Sequence, residues 1–113
     1  MSSIICSGAL IYTLSTNRFL FLHRAQSRQK NVWGLAGGRN ENNETAWEGL
    51  QREIQEELGN LPDIKKTIPL ETFISNDENF KFHTYLCVID EEFIPILNKE
   101  HNGYAWVSFG NWP

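Results

Sequence analysis

The chain has 113 residues, 41% of them hydrophobic and four of them tryptophan, which is enough for one domain (1–113) whose core needs no disulfide or metal staple. A formal net charge of −4 argues against broad electrostatic binding to duplex nucleic acid. No apolar run approaches the ~18 residues of a membrane span. The N-terminus also lacks a basic region before its apolar stretch, so the expectation is a cytoplasmic chain without membrane contact.

Ile4 to Leu14 reads as a first strand. Cys6 within it, like Cys87 further on, reads as a reduced core cysteine, because two distant cysteines make neither a metal spacing nor a disulfide framework. A turn around Asn17 leads into a second strand, Arg18 to Arg24. A polar, basic loop follows from Ala25 to Asn31. Val32 to Ala36 returns as a short extended piece that ends in a glycine turn at Gly37-Gly38.

The one convincing helix comes next. Thr45-Ala46-Trp47-Glu48 fits a capping box, in which hydroxyl and carboxylate satisfy first-turn amides reciprocally. Gly59 is a left-handed stop after Leu58, and Pro62 prevents resumption. Further strands are predicted at Lys66 to Ser75, Asn79 to Ile89 and Tyr104 to Phe109. The run from Phe80 is apolar on both faces, as in a sheet covered on both sides. The fold class predicted is α/β, a mixed sheet with helical cover.

Six of the fourteen acids lie between Glu41 and Glu57, and their spacing separates a cation site from a solvated face. At about 100° per residue, Ala46, Leu50, Ile54 and Leu58 form one apolar stripe. Glu57 falls inside that stripe, Glu53 lies on its margin, and Glu56 is one turn from Glu53. A solvated face would put these acids opposite Leu50 and Ile54. Glu53 and Glu57 are instead a like-charge pair four residues apart, a repulsion that grows with burial unless a cation or proton neutralises it. Carboxylate oxygens without a nearby His or Cys select a hard ion, Mg²⁺ or Mn²⁺, over Zn²⁺.

Gly38, five residues, Glu44, seven residues, then Arg52-Glu53-Ile54-Gln55-Glu56-Glu57-Leu58-Gly59 resembles the signature of the Nudix hydrolases. Seven identities at fixed spacing, each roughly 1 in 16, coincide by chance about once in 10⁸ starting points. Asn60 departs from the pattern, which has an apolar residue there; Leu61 stands beside it. The early strands and the Trp-Gly-Leu-Ala-Gly-Gly lead-in from Trp33 also resemble the family, which often has Pro at the place of Ala36.

The resemblance implies an α/β/α sandwich with a mixed central sheet and a Mg²⁺-dependent pyrophosphohydrolase. Its substrate would be a nucleoside diphosphate linked to another moiety, or a nucleoside triphosphate. It implies metal ligation by Glu53, Glu56, Glu57 and the carbonyl of Gly37, with Arg52 orienting the carboxylates and Glu44 fixing the loop. It also implies a late acid, for which Glu100 is the choice over Glu91 and Glu92. The general base is Glu53, with Glu100 as the alternative. Arg24, Arg28, Lys30 and Arg39 could meet substrate phosphates or belong to a solvated loop; Arg24 and Arg39 are preferred. Trp33 could stack on a base or belong to the core. His23, His83 and His101 have no metal spacing and read as structural.

Relatives usually continue into a C-terminal helix where this chain has Asn111-Trp112-Pro113. Either the chain is shortened, or something else covers that face, such as the second subunit of a homodimer. Two rival functions stand beside hydrolysis. One is a non-catalytic nucleotide sensor, which would tend to lose signature acids. The other is an isoprenoid diphosphate isomerase, which needs a cysteine at the site, where neither cysteine is expected.

Overall fold

The computed structural model describes residues 3–25 and 32–112, so Arg28 and Lys30 lie outside the described residues. The elements run β1 (Ile4–Thr13), β2 (Arg18–Arg24), β3 (Trp33–Gly34), β4 (Ala36–Arg39), α1 (Ala46–Leu58), β5 (Lys66–Ile74), β6 (Phe80–Ile89) and β7 (His101–Ser108). A 3₁₀ turn follows at Phe109–Asn111.

All the strands join one mixed sheet, ordered β3-β2-β1-β6-β5, with β4 paired to β1 and β7 paired to β2. Among the described residues only β1 and β6 run parallel, Ile4 opposite Phe80 through Thr13 opposite Ile89. The β1 strand is the hinge of the arrangement. Its first half pairs with β4, Cys6 to Ala9 against Arg39 to Ala36. Its far end meets β2 at Tyr12 opposite Phe19.

The α1 helix forms as its local chemistry dictates. The Thr45 hydroxyl accepts from the Glu48 amide at 3.1 Å, and the Glu48 carboxylate accepts from the Thr45 amide at 2.8 Å. Gly59 ends the helix at φ 75°. Leu50, Ile54 and Leu58 are fully buried, against Ala9 and Ile11 of β1, Leu20 and Leu22 of β2, Ala36 of β4, and Cys87 and Ile89 of β6. This is an α/β sandwich fold in which the helix covers one face of a mixed sheet. Among the described residues α1 is the one α-helix.

Three sequence expectations need adjustment. Gly37 and Gly38 are paired strand residues of β4 and not a turn, because β1 offers them Gly8 and Ser7 as partners. The β7 strand starts at His101, three residues earlier than predicted, because Arg24 pairs with it across a bulge. The β6 strand is closed on one side only. Cys87 and Ile89 are buried, while Phe80, Phe82, Leu86 and Val88 remain half-buried, since α1 lies over β1 and β4. Among the described residues, no helix is long and apolar enough to cross a membrane.

Candidate active site

The site forms where α1 passes the first half of β1 and its partner β4. Glu53 and Glu57 project from adjacent turns toward β4. A Cβ on Gly38 would stand 2.6 Å from the Glu53 carboxyl carbon, so the missing side chain is the space that the carboxylate occupies. Gly37 has φ 151°, and a Cβ there would fall 2.0 Å from the Ser7 carbonyl oxygen. Glycine is therefore required at Gly37, where backbone approaches backbone, while at Gly38 it leaves the room that the Glu53 carboxylate takes. The observed contact of Gly37 with the acids runs through its amide, which donates to Glu57 Oε2 at 2.8 Å.

Glu57 is 2% exposed, and burial pushes its carboxyl up to about 8, with the charges of Glu53 and Glu100 adding to the rise. The hydrogen bond from Gly37 and the charge of Arg24 act the other way. Burial also raises the Glu53 carboxyl, partly offset by Arg52.

Arg52 ties the acids together. Its guanidinium donates to Glu44 at 2.7 Å and to Glu53 at 3.0 Å, reaches Glu56 at 3.3 Å, and donates to the Arg39 carbonyl at 3.0 Å. Glu44 also accepts from the Glu41 amide at 2.7 Å, which closes the loop before the helix. The bond to Arg52 is the main reason the Glu44 carboxyl is held below the usual range.

A cleft of about 330 Å³ is lined by Arg24, Leu35, Gly37, Gly38, Arg39, Glu53, Glu57, Glu100 and His101. Next to it lies an apolar extension of about 320 Å³, with Cys6, Gly8 and Phe82 in its wall and Arg24, Leu35, Gly37, Gly38 and His101 shared. Glu53, Glu57, Glu100, Gly37, Arg24 and Arg39 thus come together. Glu56 stands one turn off, exposed and held by Arg52. Trp33 is not in this cleft. It packs edge-on against His23 at 5.0 Å and lines a separate cavity with Phe21, Ala105 and Val107.

Two residues here run against the sequence reading. Cys6 is half-buried in the cleft wall, near Arg39 and Glu53, and is not a core cysteine. His101 is buried, with Nδ1 3.5 Å from Glu57 Oε1, while His23 and His83 bond to Asn102 and Thr72 away from the acids. Only the adjacency of His101 to Glu100 in the chain could have hinted at this. The donor set fits a divalent cation: carboxylates face one cleft, and among the described residues the charge of buried Glu57 is offset by the Gly37 amide and by Arg24.

The NUDIX domain family model matches residues 6–111. The chain belongs to the Nudix family. A dihydroneopterin triphosphate diphosphatase from Haemophilus influenzae is 33% identical over 114 residues, covering 88% of this chain and 70% of that protein. The MutT protein of Methanosarcina mazei Go1 is 30% identical with a TM-score of 0.66, over 96% of this chain and 79% of that one. The structure of the E. coli dihydroneopterin triphosphate pyrophosphohydrolase, 21% identical, shares the fold with a TM-score of 0.67 over 96% of this chain and 84% of its own. This Nudix protein is a hydrolase of phosphoanhydride bonds in nucleotide-type substrates.

Proposed function

We propose that this Nudix hydrolase is a Mg²⁺- or Mn²⁺-dependent pyrophosphohydrolase. It cleaves a nucleoside triphosphate, or a nucleoside diphosphate linked to another moiety, between two phosphates. The observation that carries this reading is the convergence of Glu53, Glu57 and Glu100 with the Gly37-Gly38 strand and the cations Arg24 and Arg39 on one cleft.

Glu53, Glu56, Glu57 and the Gly37 carbonyl are the residues assigned to hold the ion. When bound, a divalent ion neutralises phosphate oxygens and lowers the pKa of a coordinated water. Glu53 is the assigned general base. Burial favours its neutral form, which keeps it ready to hold a proton taken from the attacking water. Glu100, exposed at the mouth of the cleft, is the alternative base. Arg52 is a positioning residue, since its guanidinium spans Glu44, Glu53 and Glu56. Arg24 and Arg39 line the cleft as cations for substrate phosphates.

The name of the 33% identical relative puts a triphosphate first among the substrates to test. The experiment incubates the protein with Mg²⁺ in ¹⁸O-labelled water. The panel is nucleoside triphosphates, dihydroneopterin triphosphate, ADP-ribose and dinucleoside polyphosphates. A triphosphate should yield pyrophosphate and a monophosphate, with the label on one of these two products. Full turnover in EDTA, or release of orthophosphate from a monophosphate, would overturn the reading. Tight binding without turnover would make the domain a sensor.

A further inference from the structure

We propose that Glu57, Glu100 and His101 form a cation position that takes a first-row transition ion such as Mn²⁺ in preference to Mg²⁺, with His101 Nδ1 as a direct ligand. This inference rests on the metal-dependent reading above and adds a nitrogen donor that no signature residue supplies.

The donors are already gathered. One oxygen from each carboxylate and a ring nitrogen of His101 all lie within 4.8 Å of one another. A six-coordinate ion with bonds of about 2.1 Å separates neighbouring donors by about 3.0 Å and opposite donors by about 4.2 Å. Small side-chain rotations are enough to close that shell.

The second observation concerns the imidazole itself. Its side chain is 5% exposed, and Nδ1 is buried with no hydrogen-bond partner among the described residues. At 3.5 Å, Glu57 Oε1 is too distant to provide one. Buried polar atoms are normally satisfied, and one left open beside two carboxylates is a site for a ligand.

The aim of the ring is built into the sheet. His23 pairs with Gly103 and Arg24 with His101, so Asn102 is left out of register as a bulge. Without it, His101 would follow Gly103, Ala105 and Val107 onto the face away from α1. The extra residue turns His101 to the side of Leu20, Leu22 and Arg24, toward Glu57. A nitrogen donor then biases the position away from Mg²⁺, which is held through oxygen, and toward the first-row series, of which Mn²⁺ is the hardest and weakest-binding member.

The test adds Mn²⁺ alone to metal-free protein at neutral pH and reads ¹⁴N coupling to the bound ion by pulsed electron paramagnetic resonance. Wild type should show the coupling. His101→Gln should lose it, with Mn²⁺ affinity down by about tenfold or more and Mg²⁺ affinity changed by less than about threefold. His101 is buried, so a thermal melt checks its variant. Glu100→Gln alters an exposed residue, and it should weaken Mn²⁺ binding while the remaining bound ion keeps its nitrogen coupling. No Mn²⁺ binding, bound Mn²⁺ without nitrogen coupling in wild type, or an equal loss of both ions in His101→Gln would overturn the inference. Mg²⁺-supported hydrolysis reads the parent proposal separately. Turnover with no nitrogen coupling sinks only the histidine ligand, whereas no turnover with any divalent ion sinks the hydrolase reading itself.

Discussion

Glu57 sits at 2% exposure, and burial pushes its carboxyl from 4.5 up to about 8. Below 4.5 both folded and unfolded chains hold its proton. Between 4.5 and about 8 only the folded state does, so metal-free stability falls as pH rises through that window and levels off above it. Glu57→Gln should flatten this slope and raise the metal-free melting temperature at pH 9, because the amide never has to ionise. The same variant should lose nearly all turnover; a drop of less than about tenfold, roughly 1.4 kcal/mol of barrier, would remove Glu57 from the principal ligands. Glu53→Gln makes a different prediction. If Glu53 removes the proton from water, kcat should fall by a large factor while KM stays nearly constant, since that transfer matters only at the transition state. A rise in KM at unchanged kcat would make Glu53 a binding residue instead.

At the scale of elements, the decisive contact is the approach of α1 to β4. The helix brings the Glu53 carboxyl into the space left by a missing side chain on Gly38. Gly38→Ala should push that carboxylate aside, because a methyl at 2.6 Å from its carbon cannot coexist with it. Gly38 itself has no positive φ, so the backbone should tolerate alanine. The expected outcome is a folded protein with kcat reduced at least about tenfold, the scale of a small misplacement of a reacting group. Near wild-type kcat would mean that the position of Glu53 against this strand is unimportant. Circular dichroism separates this variant from Gly37→Ala, where a Cβ would meet the Ser7 carbonyl and destabilise the strand pair.

Across the whole molecule, the sheet makes neighbours of residues far apart in the chain. Cys6 on β1 shares the cleft wall with Phe82 on β6 and with Arg24 and His101 from the paired β2 and β7. That place exposes Cys6 to thiol reagents that enter the cleft. Alkylation of Cys6 should inhibit by filling the apolar extension of the cleft, even though no cysteine has a chemical role. The reaction should be slow, since burial raises the thiol. Cys87, fully buried and pushed up to about 12, should not react in the folded protein. Activity loss should track modification of Cys6 by mass spectrometry, and Cys6→Ser should be resistant. Inhibition of the serine variant at the same rate would place the effect elsewhere.

The helix was legible in the sequence from Thr45 to Gly59, because capping and termination depend on residues three or four apart and on one left-handed glycine. The burial of Glu57 followed from the same periodicity, which places it among Leu50, Ile54 and Leu58. Arg24 was within reach too, as it continues the alternation of Leu20 and Leu22 on the helix side of β2. The strand character of Gly37 and Gly38 was not legible, because glycine signals a turn until a partner such as β1 supplies hydrogen bonds. Nor was the place of Cys6, which depends on the parallel pairing of residues 76 positions apart, Cys6 with Phe82. The inward turn of His101 rests on a single unpaired residue, Asn102, in the β2–β7 ladder. A bulge shifts register between two strands, and one strand's sequence holds no record of the register in which the other will meet it.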